Sequence, residues 1–320
     1  MKRNVKLAAL AAAAVFAIAS EAATGLYLVI DLSGGKDAAS YPVSYLGAEP
    51  QGGWTDEYKT DKLVLRLIQP GTFTMGCETS EIGYTTGWET VPHEVTISEP
   101  FYIGVFEVTQ RQYELVTGNN PSYYKGDTRP VDNVSWNTIR GNSSTYNWPN
   151  TSEVDSSSFI GKIRAKTGIT SFDLPTEAKW EYACRAGTST ALNSGKNLTN
   201  TGSDANMDEV GRYYYNKTDG KGGYSQHTTV GSYLPNAWGL YDTHGNVWEW
   251  TLDWFQQGNL LNSAATDPVG PASGSCRVLR GGSWSNYAQN CRSANRRNNF
   301  PFNGYDHGLR VCCAVPQHKP

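Results

Sequence analysis

Residues Arg280 to Arg310 read RGGSWSNYAQNCRSANRRNNFPFNGYDHGLR, and this stretch decides how the rest of the chain is understood. Two kinds of sequence alternate in it. Arg280-Gly-Gly-Ser-Trp284, Cys291-Arg-Ser-Ala294 and Gly308-Leu-Arg310 have the character of framework. Between them lie Ser285, Asn286 and Tyr287, and then Arg297 to His307, rich in Asn, Phe, Tyr, Asp, His and Gly. This filler has almost no aliphatic residue, which argues against a buried strand or helix. Tyr, Ser, Gly and Asn are the residues that binding loops use for contact area and adaptable hydrogen bonding. The expectation is an exposed recognition surface over residues 285–307. Its candidate contacts are Trp284, Ser285, Asn286, Tyr287, Arg297, Asn298, Asn299, Phe300, Phe302, Asn303, Tyr305, Asp306 and His307.

Further framework segments lie upstream. They are Pro70-Gly-Thr-Phe-Thr-Met-Gly76, His93-Glu-Val-Thr96, Phe101 to Thr109, Leu174-Pro-Thr-Glu-Ala-Lys-Trp-Glu-Tyr-Ala-Cys-Arg185 and Gly239 to Trp250. With Arg280 to Trp284 they follow one another in a fixed order. The chain in this respect resembles the formylglycine-generating enzyme, or sulfatase-modifying factor, domain over roughly residues 69–315. The resemblance implies an α+β fold of C-type-lectin-like type, with short strands, a few helices and long irregular loops. A second resemblance covers Ala288 to Arg296 and the filler around it. These look like the variable region of proteins diversified by retroelements that mutate template adenines. Asn codons then become Tyr, Asp, His, Ser, Phe, Gly or Arg codons, which account for the filler apart from Pro301.

The resemblances imply site residues in turn. In the enzyme family the segment at Asp242 to Glu249 supplies a calcium site. By position its ligands here would be the side chains of Asp242 and Glu249 and the carbonyls of Gly245 and Val247. The oxygen-rich set suits calcium. The competing reading is that Asp242 and Asn246 cap a turn while Glu249 pairs with an arginine. A second family calcium site would begin at Asn206, with Asp219-Gly220-Lys221 as its other half, but its spacing matches poorly. The family also implies a disulfide from Cys184 to Cys312 or Cys313. Formylglycine formation needs two copper-binding thiolates shortly after the Gly-Gly-Ser-aromatic segment, and two soft sulfurs suit copper(I). Only Cys291 is near. Copper and oxidase activity are therefore not expected, unless Cys312 or Cys313 folds back to Cys291.

Composition limits other readings. The chain has 320 residues, 18% charged, with a formal net charge of −3. No basic patch points to nucleic acid. Lys2, Arg3 and Lys6 precede the apolar run Leu7–Ala19, the layout of a secretory signal peptide over residues 1–23. That run is too short to span a bilayer, so no membrane span is expected in the mature chain. Export would permit disulfides among the cysteines. No histidine spacing suggests a metal site, and no G-x-S-x-G elbow suggests a serine hydrolase.

Strands are expected at Leu26–Leu32, Tyr41–Tyr45 and Lys62–Ile68. Residues 24–68 form either a small β appendage or the first strands of the main domain. Helices are expected at Thr109–Thr117, Asp155–Thr167 and Thr176–Ala186, the first two stopped by Gly118 and Gly168. Ser189 to Gly223 has no periodicity, and such a long stretch needs bound calcium or its own aromatics to hold it. The leading expectation is an exported, non-catalytic protein that binds a protein or surface ligand. A modifying oxidase and a structural envelope protein are the alternatives.

Overall fold

A computed structural model of the chain describes residues 25–142, 144–216, 226–257 and 263–316. The expected signal segment and Asp219 to Lys221 lie outside the described residues. The N-terminal part builds β1 (Tyr27–Asp31), β2 (Val43–Leu46), β3 (Lys62–Ile68), β4 (Gly71–Met75), β5 (His93–Ile97) and β6 (Phe101–Gly104). Helices α1 (Gln110–Thr117), α2 (Trp136–Arg140), α3 (Phe159–Thr167), α4 (Glu177–Arg185) and α5 (Ala205–Val210) follow. The C-terminal part returns to strand with β7 (Trp248–Trp254), β8 (Ala265–Thr266), β9 (Arg277–Arg280), β10 (Arg297–Asn299), β11 (His307–Gly308) and β12 (Cys312–Ala314). The result is the expected α+β fold of short strands, few helices and long loops.

Three sheets organise it, in the orders β12-β6-β3-β1-β2, β10-β9-β7-β11 and β4-β5-β8. The first holds the first and the last strand of the described residues, since β12 pairs with β6, β6 with β3 and β3 with β1. Residues 27–68 thus supply strands to the sheet that the last strand completes. β1 is buried on both faces. Leu28 and Ile30 enter the main core with Trp136, Trp248 and Trp250, while Tyr27 and Val29 enter a second cluster with Phe106 and Val230. Two buried faces explain its unbroken apolar run.

Helix boundaries follow from capping. Thr109 and Gln112 form a reciprocal capping box for α1, and Gly118 ends it at φ 82°. α3 starts later than the sequence suggests. The Asp155 carboxylate accepts from the Ser157 N–H and hydroxyl, so these residues form a turn, and Ser158 becomes the cap. Thr176 caps α4.

All six cysteines are unpaired. The implied Cys184 disulfide is a correction. The Cys184 thiol faces the Thr243 carbonyl and the Ser293 hydroxyl at 3.8 and 3.7 Å. The Cys312 thiol instead donates to the Leu174 carbonyl at 3.4 Å, and Cys313 packs in the main core.

A candidate recognition surface

The framework arginines of the decisive stretch are buried, and each is ion-paired to a carboxylate far away in sequence. Arg280 pairs with Glu181, Arg292 with Glu89 and Glu81, Arg296 with Glu177 and Arg310 with Glu249. Arg296 and Arg310 engage their carboxylates through more than one N–H. Planar guanidinium forks matched to carboxylates fix orientation as well as charge. Four such pins hold the backbone on either side of the filler. The glycine pair serves the same end. Gly282 has φ 76°, and a Cβ there would stand 2.5 Å from the Cys291 sulfur. Only glycine permits that approach.

The filler hangs between these pins. Tyr287, Phe300, Phe302 and Tyr305 are 45, 46, 66 and 69% exposed. Phe300 and Phe302 stack at 5.4 Å. Ser285, Asn286, Asn298, Asn299 and Asn303 are half-buried, and Arg297 is exposed. Trp284, Asp306 and His307, by contrast, are buried. The expected exposed aromatic at His307 is therefore a correction. His307 opens the short buried strand β11 and stands edge-on to Trp250 at 5.1 Å. Burial, aided by the Arg297 charge and opposed by Asp306, pushes its imidazole down to about 4. Asp306 is an organiser beneath the surface. Its carboxylate accepts from the hydroxyls of Ser283 at 2.5 Å and Ser285 at 2.8 Å. Asn298 and its neighbours also pair in β10 against β9, so part of the filler is strand after all.

Residues from elsewhere complete the face. Tyr214 and Tyr215 meet Tyr287 at 5.4 and 5.5 Å, and the Tyr214 N–H donates to the Asn286 carbonyl. Tyr124 stands 5.8 Å from Trp284, and its neighbour Tyr123 is 80% exposed. Asn133 joins the loop of Pro121 to the Tyr305 turn. Its N–H donates to the Tyr305 carbonyl at 2.6 Å and its side chain to the Pro121 carbonyl at 3.2 Å. The 123–124 contribution was missed in the sequence, where adjacent tyrosines in a Pro-Ser-Tyr-Tyr-Lys turn were the available signal.

The irregular stretch after Ser189 is held by a small core of its own. Ala191, Leu192, Leu198, Met207, Val210 and Tyr213 pack with Ala288 and Cys291. Asp204 caps α5 and also accepts from the N–H groups of Thr199 and Asn200. Asn206 is spent on the Asn197 carbonyl. This stretch therefore docks directly on the framework of the filler.

Asp242 and Glu249 lie in one buried charged group with Glu107 and Arg310. Both Glu249 oxygens face Arg310, and one also accepts from the Trp180 indole at 2.6 Å. Of the Asp242 oxygens one accepts from the Gly231 N–H, and the other is buried without a partner. Burial pushes that carboxyl up to about 6. Gly245 and Asn246 spend their N–H groups on the Gly281 and Arg212 carbonyls, and the Val247 N–H goes to Glu107. Among the described residues no group of three or more His, Cys, Asp or Glu is placed to hold a metal ion.

Cys291 is fully buried, and burial pushes its thiol up. Cys312 and Cys313 belong to two other hydrophobic clusters, so neither folds back to it. A buried thiol held neutral is a poor metal ligand and nucleophile.

A lectin-like α+β scaffold that pins long loops with buried arginine pairs defines the class. Residues 55–315 match the sulfatase-modifying factor enzyme 1-like domain, and the chain belongs to that family. It is 31% identical over 280 residues to the chaperone protein LppX of Paenibacillus barcinonensis, covering 79% of this chain and 89% of that protein. It is 42% identical over 132 residues to the formylglycine-generating enzyme of Streptomyces coelicolor, but that match covers 40% of this chain and 42% of the enzyme. Among solved structures it resembles Treponema denticola variable protein 1, with a TM-score of 0.61 and 28% identity over 80% of this chain and 96% of that one. No helix of the described residues is long and apolar enough to cross a membrane.

Proposed function

We propose that this is an exported, non-catalytic binding protein whose ligand is a protein or surface component. Its contact face is built from Tyr287, Asn298 to Phe302, Tyr305 and Arg297, flanked by Tyr123, Tyr124, Tyr214 and Tyr215. The observation that carries the reading is the contrast within one segment. Framework arginines are buried and paired, while the intervening large aromatics stand in solvent at 45 to 69% exposure. Soluble surfaces seldom expose so many clustered rings without a partner to cover them. Aromatic anchors commonly dominate interfaces, at about 2 kcal/mol or more for a hot spot. The likeness to a variable protein supports the same reading. Export rests on the signal-like composition of residues 1–23.

The test is a combined Tyr287→Ser, Phe300→Ser, Phe302→Ser, Tyr305→Ser variant of the full chain. Its thermal melt is expected to stay close to that of the parent, since exposed substitutions typically change stability by within about 0.5 kcal/mol each. Its binding to partners captured from cell-surface extracts is expected to be lost or redirected. A variant that keeps the parent's partners would overturn the reading, and one that unfolds would show these rings to be structural.

A further inference from the structure

A cleft of 320 Å³ opens at the start of β10. It is lined by Thr85, Trp88, Trp248, Asn290, Asn295, Arg296, Arg297 and Asn298. Two indoles and a ring of amides and guanidinium groups make it unlike the apolar pocket beside Val269. The charges in it are unequal. Arg296 is neutralised by Glu177 through two short contacts of 2.6 and 2.8 Å. The Asn295 amide is spent on Glu89. Arg297 is different. Among the described residues its guanidinium has no carboxylate or hydrogen-bond partner, and it lies 5.7 Å from the centre of the Trp248 ring. The side-chain amides of Asn290 and Asn298 likewise have no partner among the described residues. A cationic fork resting on an indole, flanked by two free amide donors, is the arrangement that receives a carboxylate.

We infer that this cleft is the anchor subsite for an acidic side chain of a protein ligand, with Arg297 as its charge partner and Asn290 and Asn298 as supporting donors. The inference rests on the recognition reading above and says what part of the ligand enters where. The contact suits an acidic side chain rather than a neutral glycan, because the cleft carries a full positive charge at Arg297 with no carboxylate partner among the described residues. Arg297 lies in the filler, not in the framework, so the preference belongs to this chain.

Two measurements test it on the full chain. In the first, N-acetyl-L-glutamate and N-acetyl-L-glutamine are titrated while the indole N–H resonance of Trp88, assigned with Trp88→Phe, is followed. The acid is expected to shift the resonance in the millimolar range, the amide to leave it, and Arg297→Gln to abolish the response. Equal responses to both compounds, or none to the acid, would overturn the inference. In the second, a displayed random-peptide library is selected on the chain. Selected peptides are expected to be enriched in Asp and Glu, to weaken at least tenfold on Glu→Gln in the peptide or Arg297→Gln in the protein, and to weaken with salt. Peptides that depend on Tyr287 and Phe302 but not on acidity or Arg297 would sink this inference and leave the recognition reading standing. Binding that depends on neither, or no binders at all, would sink both.

Discussion

Arg296 and Arg297 are neighbours with opposite fates, and that contrast can be measured. Arg296 is buried against Glu177, so Arg296→Ala leaves that carboxylate with only a longer contact of 3.6 Å to Arg280. Breaking such a buried pair costs about 3–5 kcal/mol, and chemical denaturation should show a loss of that order. Arg297→Ala should change stability by no more than about 0.5 kcal/mol. A comparable loss for both would mean that the filler is structural. His307 supplies a second residue-scale outcome. Its folded imidazole sits at about 4, held down chiefly by burial, while an unfolded histidine titrates near about 6.5. Between those values the unfolded chain binds a proton that the folded chain does not. The contribution is thus fully present above about 6.5 and is lost as the pH falls toward 4, at up to about 1.4 kcal/mol per pH unit. The stability gap between the parent and His307→Asn should shift against the parent over that window. A gap that does not change with pH would show that His307 titrates normally.

At the scale of elements, legibility followed burial and capping. β3 was readable to its ends because apolar residues fill both faces, and α1 and α4 were readable because a threonine cap and a stop bracket an amphipathic turn. What was missed has a physical reason in each case. α2 and α5 are too short for a periodic signal. β10 and β11 are made by backbone pairing alone, which polar residues at a sheet edge can supply without an aliphatic face. The tyrosines of the flanking loops come from segments with no shared pattern, so only the fold brings Tyr214 and Tyr215 beside Tyr287 and Tyr124 beside Trp284. The Tyr305 turn has an unusual backbone. Tyr305 has φ 103°, a conformation that side chains rarely adopt, and it is held there by its backbone contacts with Asn133. Strain of this kind costs roughly 1–3 kcal/mol and clusters at binding sites. Tyr305→Gly removes the largest exposed ring of the turn and relieves the strain together. It should therefore leave the melting temperature equal or higher while weakening ligand binding. A lower melting temperature would mean that the ring is packed for stability.

For the molecule as a whole, a shared scaffold leaves open which chemistry the site performs, since one fold hosts many functions. The family was legible in the order of its framework segments, because those segments are the ion-paired arginines, capped helices and buried tryptophans that any member needs to fold. The activity was legible only as an absence in the filler. Relatives of this chain are formylglycine-generating enzymes, and the chain spans less than half of the Streptomyces enzyme. The thiolate pair which that reaction requires has no counterpart here. Asn286 follows Ser285 where a thiol would be needed, and Cys291 is buried with its thiol pushed up by burial. Cys313 and Cys312 sit in two other clusters, apart from the one that holds Cys291. The full chain, incubated with copper(I) and a sulfatase-motif peptide, is expected to leave the peptide cysteine unconverted by mass spectrometry. The five buried cysteines should meanwhile be slow to alkylate in the folded state and fast after denaturation, with partly exposed Cys276 reacting first. Conversion that disappears in Cys291→Ser would overturn the non-catalytic reading and require the strand around Cys312 to open during turnover. Conversion that survives Cys291→Ser would point instead to a thiol such as Cys77, whose sulfur lies 3.2 Å from Glu89 and beside Arg292 in the framework under the same face.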